Sequence, residues 1–180
     1  MNRAVFLDRD GVINKALMIK GVPSPPKNLM EVEILMGVKE ATELLSDRGY
    51  KLVVVTNQPD VARGDATKET VESINEYLLK VLGIKHWYVC FHDDKDECKC
   101  RKPMPGLLHA AAKDLSIDVG KSFMVGDRWR DIAAGQAAGC GCYFVDNGYS
   151  EASPTPPYTR VSSLIEATKL ILENSNDSFS

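Results

Sequence analysis

Short apolar runs alternate with longer amphipathic segments along most of this 180-residue chain. A short, continuously apolar run is typical of a strand buried on both faces, and apolar residues spaced three or four apart are typical of a helix with one buried face. Alternation of the two predicts right-handed crossovers and helices on both faces of the sheet. The pattern therefore predicts an α/β three-layer sandwich with a parallel, Rossmann-like sheet.

The predicted elements divide evenly between strands and helices. The strands are Ala4–Leu7, Lys51–Thr56, Trp87–Phe91, Ser122–Val125 and Gly141–Val145. The helices are Val38–Arg48, Lys68–Leu82, Pro105–Leu115, Trp129–Ala138 and Val161–Glu173. No shift in composition divides the chain, so a single domain is predicted over residues 1–174, with a frayed polar tail over residues 175–180.

The charge balance limits the classes of partner. The formal net charge is −3 and the pI is about 5.7, which argues against nucleic acid or an anionic membrane. The N-terminus has no signal-peptide pattern, and no apolar run reaches the length needed to cross a bilayer. We therefore expect a cytoplasmic monomer that binds any anionic ligand through local cationic groups.

Polar residues lie at or just beyond the ends of four of the predicted strands. These clusters are Asp8-Arg9-Asp10-Gly11, Thr56-Asn57-Gln58, Cys90 with His92, and Gly126-Asp127-Arg128. In parallel sheets, ligands bind beyond the carboxyl ends of the strands. The four clusters therefore predict one site at that edge of the sheet.

The first cluster contains two aspartates separated by one residue, Asp8 and Asp10. Two close carboxylates require a cation or a shared proton. With Mg²⁺ present, one carboxylate can bind the metal and attack phosphorus while the other transfers a proton to the leaving oxygen. An isolated Asp-X-Asp is also typical of a solvated loop or a helix cap, so this pair alone leaves both interpretations open.

The segment Phe-Leu-Asp-Arg-Asp-Gly-Val-Ile-Asn, residues 6–14, closely resembles the first motif of the haloacid dehalogenase superfamily of phosphatases. The resemblance implies that Asp8 becomes a phospho-aspartate and that Asp10 is the general acid/base. It also implies that a catalytic Mg²⁺ is bound by Asp8, Asp127 and the backbone carbonyl of Asp10.

Later segments resemble the remaining motifs of the same family. Thr56 matches the second motif, Lys102 the lysine of the third, and Asp127 the metal ligand of the fourth. Asp131 follows Asp127 by one helical turn and is expected to support it from behind. The resemblance covers residues 5 to 131 and implies an enzyme with Asp8, Asp10, Thr56 and Lys102 as catalytic residues.

Substrate contacts are implied by the residues around these motifs. Thr56–Gly64 resembles the Thr-Asn-Gln-Ser-Gly-Ile-Ala-Arg-Gly stretch of a heptose bisphosphate phosphatase branch. Here Pro59-Asp60 replaces Ser-Gly, so one backbone donor is lost. The expected substrate-binding residues are Asn57, Gln58, Arg63, Arg101 and Arg128.

Three cysteines and one histidine lie within a short segment as Cys90-X-His92 and Cys98-X-Cys100. Three sulfurs and one imidazole complete the ligand set of a closed, tetrahedral Zn²⁺ site. Because the protein fills every position, the zinc is expected to be structural and to fix the loop that ends at Arg101. Cys140 and Cys142 are expected to be small buried residues rather than ligands.

The Cys-X-His…Cys-X-Cys-Arg-Lys-Pro arrangement resembles a zinc-containing branch of the family without a cap domain. That branch is shared by D-glycero-D-manno-heptose-1,7-bisphosphate 7-phosphatases and histidinol-phosphate phosphatases. The resemblance therefore implies either a sugar bisphosphate that loses its 7-phosphate or histidinol phosphate. Ala62-Arg63-Gly64 and Met104-Pro105-Gly106 favour the first. A zinc-stabilised interaction domain with an inactive site is a third hypothesis, against which the complete set of acids and lysine argues.

Overall fold

The structure, a computed structural model, describes the backbone of residues 1–176 and the side-chain surroundings of residues 1–174. The strands are β1 (Ala4–Leu7), β2 (Leu17–Ile19), β3 (Val22–Ser24), β4 (Lys51–Asn57), β5 (His86–Cys90), β6 (Phe123–Gly126), β7 (Gly141–Val145) and β8 (Thr159–Val161). The helices are α1 (Val38–Asp47), α2 (Asp60–Arg63), α3 (Lys68–Leu82), α4 (Gly106–Asp114), α5 (Trp129–Ala138) and α6 (Leu164–Asn176). Short 3₁₀ turns occur at Leu29–Glu31, Asp94–Asp96 and Val119–Lys121.

A parallel sheet forms the centre of the described chain, with six strands in the order β5-β4-β1-β6-β7-β8. β1 lies in the interior, where Leu7 is in register with Val54 of β4 and Val125 of β6. The residues that follow β1, β4 and β6 are therefore brought to neighbouring positions at one edge of the sheet.

The two faces of the sheet carry separate hydrophobic cores. Val5 and Leu7 of β1 belong to the core that includes buried residues of α1, α3 and α6. Ala4 and Phe6 belong to the core that includes buried residues of α4 and α5. Successive side chains of a strand point to opposite faces, so four apolar residues in a row are what a sheet covered on both sides requires. The predicted three-layer α/β sandwich is confirmed.

The five predicted strands are confirmed, each with ends within one residue of the observed bounds. Strands β2, β3 and β8 were not predicted. The last helix begins at Leu164 rather than Val161, because Val161 belongs to β8 and pairs with Val145 of β7. That helix continues to Asn176, so the first part of the tail predicted over 175–180 is helical, and residues 177–180 lie outside the described residues.

Between β1 and β4 the described chain forms the β2–β3 hairpin, a 3₁₀ turn and α1, and no separate cap domain. The hairpin was not predicted, and its residues Val22 and Pro23 line the cavity described below. None of the described helices combines the length and apolar character that crossing a membrane would require.

Candidate active site

A cavity of about 290 Å³ lies at the carboxyl ends of β1, β4 and β6. It brings together most of the residues predicted to form the site. The predicted residues that line it are Asp8, Asp10, Asn57, Arg63, Arg101, Lys102, Asp127 and Arg128. Thr56 and Gln58 are buried and are not among its lining residues.

Lys102 is buried at the base of this cavity, with 1% of its side chain exposed. Its Nζ lies 2.8 Å from Oδ1 of Asp8, 2.6 Å from Oδ1 of Asp131 and 2.7 Å from the carbonyl oxygen of Val55. An ammonium group has three donors, so each has an acceptor here. Burial would lower the pKa of Lys102, but the charges of Asp131 and Asp8 raise it, and the group stays protonated.

Asn57 fixes the backbone of Lys102 through a reciprocal pair of hydrogen bonds. Its Nδ2 donates to the carbonyl oxygen of Lys102 at 3.0 Å, and its Oδ1 accepts from the Lys102 N–H at 3.1 Å. Asn57 ends β4, so this pair connects the loop after Cys90, His92, Cys98 and Cys100 to the sheet. Asn57 was predicted as a substrate contact, and its amide is already engaged in holding Lys102.

Asp10 is held by donors from different parts of the chain. Its carboxylate accepts from Nδ2 of Asn14 at 2.9 Å, from Nε2 of Gln58 at 2.8 Å and from Nη2 of Arg9 at 3.0 Å. Gln58 also donates to Oγ1 of Thr56 at 3.0 Å. Gln58 and Thr56 therefore support Asp10 from beneath, while Asp10 itself lines the cavity.

Asp127 lies against the turn that follows β1. Gly11 adopts a φ of +88°, and a Cβ at that position would collide with the Asp127 carboxylate, so glycine is required for this approach. Oδ2 of Asp127 accepts from Nδ2 of Asn147 at 3.3 Å, and its carboxylate is also hydrogen-bonded to the hydroxyl of Tyr149. Oδ1 is buried and has no hydrogen-bond partner among the described residues.

Carboxylate oxygens of Asp8, Asp127 and Asp131 lie within 4.8 Å of one another. Burial, followed by the charge of Asp131, raises the pKa of Asp8 to about 6. Burial and the charges of Asp8 and Asp131 raise the pKa of Asp127 well above its ordinary value. Concentrated carboxylates with an unpartnered buried oxygen fit a hard divalent cation such as Mg²⁺.

Asp131 is less available to a metal than the other two carboxylates. Its Oδ1 contacts Lys102, and its Oδ2 accepts the backbone N–H of Arg128 at 3.0 Å. Both oxygens are thus already engaged in positioning α5 and Lys102. These contacts are made to Lys102 and Arg128, so the support of Asp127 by Asp131 stays a prediction.

The arginines around the cavity are held by carboxylates, most of them from the loop after β5. Arg63 pairs with Asp93 at 2.6 Å, and Arg101 pairs with Asp94 at 2.8 Å. Arg130, which was not predicted, also reaches Asp94, at 3.1 Å. Arg128 is ion-paired with Glu151. The guanidinium groups are therefore oriented before any ligand arrives.

The side chains of the Cys/His cluster lie nearly as far apart as the ligands of a tetrahedral zinc site. The sulfurs of Cys90, Cys98 and Cys100 are separated by 3.7, 3.2 and 3.4 Å, and Nδ1 of His92 lies 3.5 Å from Cys90 and 3.3 Å from Cys100. Tetrahedral coordination with ordinary Zn–S and Zn–N lengths gives edges of about 3.8 and about 3.5 Å. These residues could hold a zinc ion, as their spacing predicted.

The cluster leads directly to the active-site loop. The backbone N–H of Arg101 donates to the sulfur of Cys98 at 3.3 Å, and Lys102 follows. Burial would raise the pKa of Cys98, but hydrogen bonds from the Arg101 N–H and from Cys100 lower it to about 7. Cys140 and Cys142 are buried in the core that contains α5, as predicted.

Several residues at the site were not found from the sequence. Arg9, Asn14 and Asn75 support Asp10 directly or through one another. Asn147 and Tyr149 follow β7, and ligands bind beyond the carboxyl ends of parallel strands, so their place after the fifth predicted strand was a signal. Asn75 also had a signal, because it is a polar residue within the buried stripe of α3.

The chain is similar in sequence to known proteins of one family. The model of the haloacid dehalogenase-like hydrolase family matches residues 28–139. The chain is 40% identical over 153 residues to a D-glycero-β-D-manno-heptose-1,7-bisphosphate 7-phosphatase of Vibrio cholerae serotype O1, covering 77% of each chain. It is 31% identical over 189 residues to the D-glycero-α-D-manno-heptose-1,7-bisphosphate 7-phosphatase of Photorhabdus laumondii, covering 94% of this chain and 96% of the relative.

A solved structure shares the fold over nearly the whole chain. It is the D,D-heptose 1,7-bisphosphate phosphatase from B. bronchiseptica, described as complexed with magnesium and phosphate. The TM-score is 0.83 with 26% sequence identity, and the match covers 96% of this chain and 99% of the other.

Proposed function

This chain belongs to the haloacid dehalogenase-like hydrolases and is a phosphoric monoester hydrolase, and from that premise we propose that it removes the 7-phosphate of D-glycero-D-manno-heptose 1,7-bisphosphate. The observation that carries the proposal is that one cavity contains both a carboxylate–lysine cluster and the guanidinium groups of Arg63 and Arg101. The cluster suits chemistry on one phosphate, and the arginines suit binding of a second.

Asp8 acts as the nucleophile. Lys102 holds its Oδ1, so the other carboxylate oxygen is available to attack phosphorus. As the new bond from that oxygen to phosphorus forms, the bond to the leaving sugar oxygen breaks, and the leaving oxygen keeps the electron pair. Lys102 and Asp131 fix the direction of this attack.

Asp10 transfers the protons. In the first half-reaction its carboxyl group gives a proton to the leaving oxygen. In the second half-reaction its carboxylate takes a proton from the water that attacks the phospho-aspartate, which releases phosphate and restores Asp8. Its hydrogen bonds from Asn14 and Gln58 support this assignment, because they fix the carboxyl group at the cavity wall.

The residues that would hold Mg²⁺ are Asp8, Asp127 and the backbone carbonyl of Asp10. When bound, the ion would offset the charge of the phosphate oxygens and of the carboxylates. The unpartnered Oδ1 of Asp127 supports this assignment. A structural Zn²⁺ at Cys90, His92, Cys98 and Cys100 would keep Arg101 and Lys102 in place. Cysteine ligands that are not joined in disulfides suit a reducing cytoplasm.

The proposal is tested by kcat/KM measured with Mg²⁺ on both anomers of heptose 1,7-bisphosphate, on fructose 1,6-bisphosphate and on histidinol phosphate. We expect a heptose bisphosphate to be preferred by at least about tenfold, which corresponds to about 1.4 kcal/mol of transition-state binding. Preference for histidinol phosphate would contradict the proposed substrate. No turnover of any of these esters would contradict the proposed reaction.

A further inference from the structure

Arg9 lies between Asp8 and Asp10 in the sequence and is completely buried, with 0% of its surface exposed. Arginine is almost never fully buried unless its charge is paired. It points into the protein behind the acid/base rather than toward the cavity, and it is not among the cavity-lining residues. Its position therefore calls for a partner on the inner side of Asp10.

The guanidinium group of Arg9 forms a two-point contact with the Asp10 carboxylate. Its Nε lies 3.1 Å from Oδ1 of Asp10, and its Nη2 lies 3.0 Å from Oδ2. A two-point contact of this kind fixes the plane and direction of a carboxylate, whereas a single hydrogen bond fixes only one distance.

The other end of the guanidinium group is anchored on α3. Nη1 of Arg9 donates to Oδ1 of Asn75 at 2.9 Å. Asn75 is 8% exposed and shares the buried stripe of α3 with Val71, Ile74 and Leu78. Burying an amide is costly unless it is hydrogen-bonded, so an apolar residue would be the stable choice for packing alone. The bond to Arg9 accounts for an asparagine at this position.

The backbone of Arg9 organises the same turn. Its carbonyl oxygen accepts from the N–H of Ile13 at 2.9 Å and from the N–H of Asn14 at 3.2 Å. Asn14 in turn donates its side-chain amide to Asp10. One residue thus shapes the turn through its backbone and orients the carboxylate through its side chain.

We propose that Arg9, anchored by Asn75, is a positioning residue that aims the Asp10 carboxyl group at the leaving oxygen. This inference rests on the proposed function, in which the proton leaves Asp10 as the bond between phosphorus and the sugar oxygen breaks. Arg9 forms no bond to the substrate and acts through Asp10. Loss of the two-point contact between Arg9 and Asp10 therefore lowers kcat/KM most for substrates whose leaving group needs a proton.

Two esters with different leaving groups test this inference. A sugar alkoxide needs a proton to leave, whereas p-nitrophenolate leaves without one. For Arg9→Lys and Asn75→Ala, we expect kcat/KM for heptose 1,7-bisphosphate to fall by about 10- to 100-fold, within the range that general acid catalysis contributes. We expect kcat/KM for p-nitrophenyl phosphate to fall by less than about threefold, since its first step needs no proton.

Glu76→Ala is the matched control on α3, because Glu76 is exposed and pairs with Lys80. It is expected to leave both values unchanged. Asn75→Ala removes the anchor but leaves the Arg9 side chain itself unchanged, so it tests the inference even if Arg9→Lys folds poorly. Melting temperature and zinc content are measured for each variant.

Asp10→Asn serves as the reference for the missing acid. Suppose that Asp10→Asn lowers kcat/KM for the sugar ester much more than for p-nitrophenyl phosphate. If Arg9→Lys and Asn75→Ala then lower kcat/KM for both esters equally, or for neither, this inference is overturned and the proposed function stands. If Asp10→Asn shows no such dependence on the leaving group, the proposed role of Asp10 is wrong, and the inference about Arg9 is overturned with it. A wild-type enzyme that hydrolyses neither ester overturns both.

Discussion

The ammonium nitrogen of Lys102 lies 2.8 Å from Oδ1 of Asp8, although 94 residues separate them in the chain. Both side chains are buried, with 1% and 12% of their surfaces exposed. The contact connects the end of β1 to the loop that follows the Cys/His cluster. The position of the proposed nucleophile therefore depends on a loop that a metal would hold.

Lys102→Met is expected to destabilise the protein as well as inactivate it. It leaves Asp8 and Asp131 without their shared cation in a buried site, and breaking such a pair typically costs about 3–5 kcal/mol. The free energy of unfolding from urea titration at neutral pH measures the loss. Lys121→Met is the control, since Lys121 is exposed and lies 3.9 Å from Asp118, and it should cost less than about 1 kcal/mol. Equal losses would contradict the structural role of Lys102.

Asp8→Asn is expected to stabilise the magnesium-free protein. The pKa of Asp8 is raised from 3.8 to about 6, so the folded protein holds this proton more tightly than the unfolded chain does. Ionisation of Asp8 therefore destabilises the fold increasingly as pH rises from about 4 to about 6, and the penalty is complete above that range. The neutral amide avoids the penalty.

This prediction is checked by thermal unfolding in magnesium-free buffer at pH 5 and pH 7.5, with zinc retained. The stabilisation should be larger at pH 7.5, by on the order of 1 kcal/mol. If Asp8→Asn is less stable than wild type at pH 7.5, ionised Asp8 does not destabilise the magnesium-free protein and the prediction is wrong.

Cys98→Ser is expected to lose zinc and, with it, activity. The loop would no longer hold Arg101 and Lys102, and a displacement of about 1 Å at catalytic groups lowers rates by up to about 100-fold. Elemental analysis, melting temperature and kcat provide the measurements. Cys140→Ala is the control: it removes a buried thiol outside the cluster and should keep one zinc per chain. Full activity in zinc-free Cys98→Ser would refute the role of the loop.

Arg63→Met is expected to weaken recognition of a second phosphate. Losing a charge-assisted hydrogen bond costs about 1.5–3 kcal/mol, so kcat/KM for heptose 1,7-bisphosphate should fall by about 10- to 100-fold. The value for a heptose 7-monophosphate should change little. Arg160→Met is the matched control, because Arg160 and Arg63 each pair with an aspartate at 2.6 Å, but Arg160 lies outside the cavity. Equal losses on both substrates would place the arginine's contribution elsewhere.

The sequence predicted the sheet from local order, and it predicted the carboxylate cluster from the strand ends together with the resemblance of residues 6–14 to a family motif. Asp8 and Asp127 come directly after apolar strands, and parallel strands bring such positions together. The cysteine spacing was equally informative, because short chelating pairs limit the geometry.

The supporting residues were harder to predict because their roles depend on distant partners. Arg9 resembles a solvated loop residue until α3 brings Asn75 against it. Gln58 was expected at the substrate, but its amide is directed beneath the cavity to Asp10. Strands β2 and β3 are three residues each, too short for a reliable pattern, and Pro23 argued against a strand.

The most direct test of the central claim is the identity of the residue that carries the phosphoryl group. Wild-type enzyme turning over heptose 1,7-bisphosphate with Mg²⁺ is quenched in acid, digested and mapped by mass spectrometry. We predict a phosphoryl group on Asp8, its absence in Asp8→Asn, and no turnover by that variant. A phosphoryl group on another residue, or turnover by Asp8→Asn at the wild-type rate, would contradict the account.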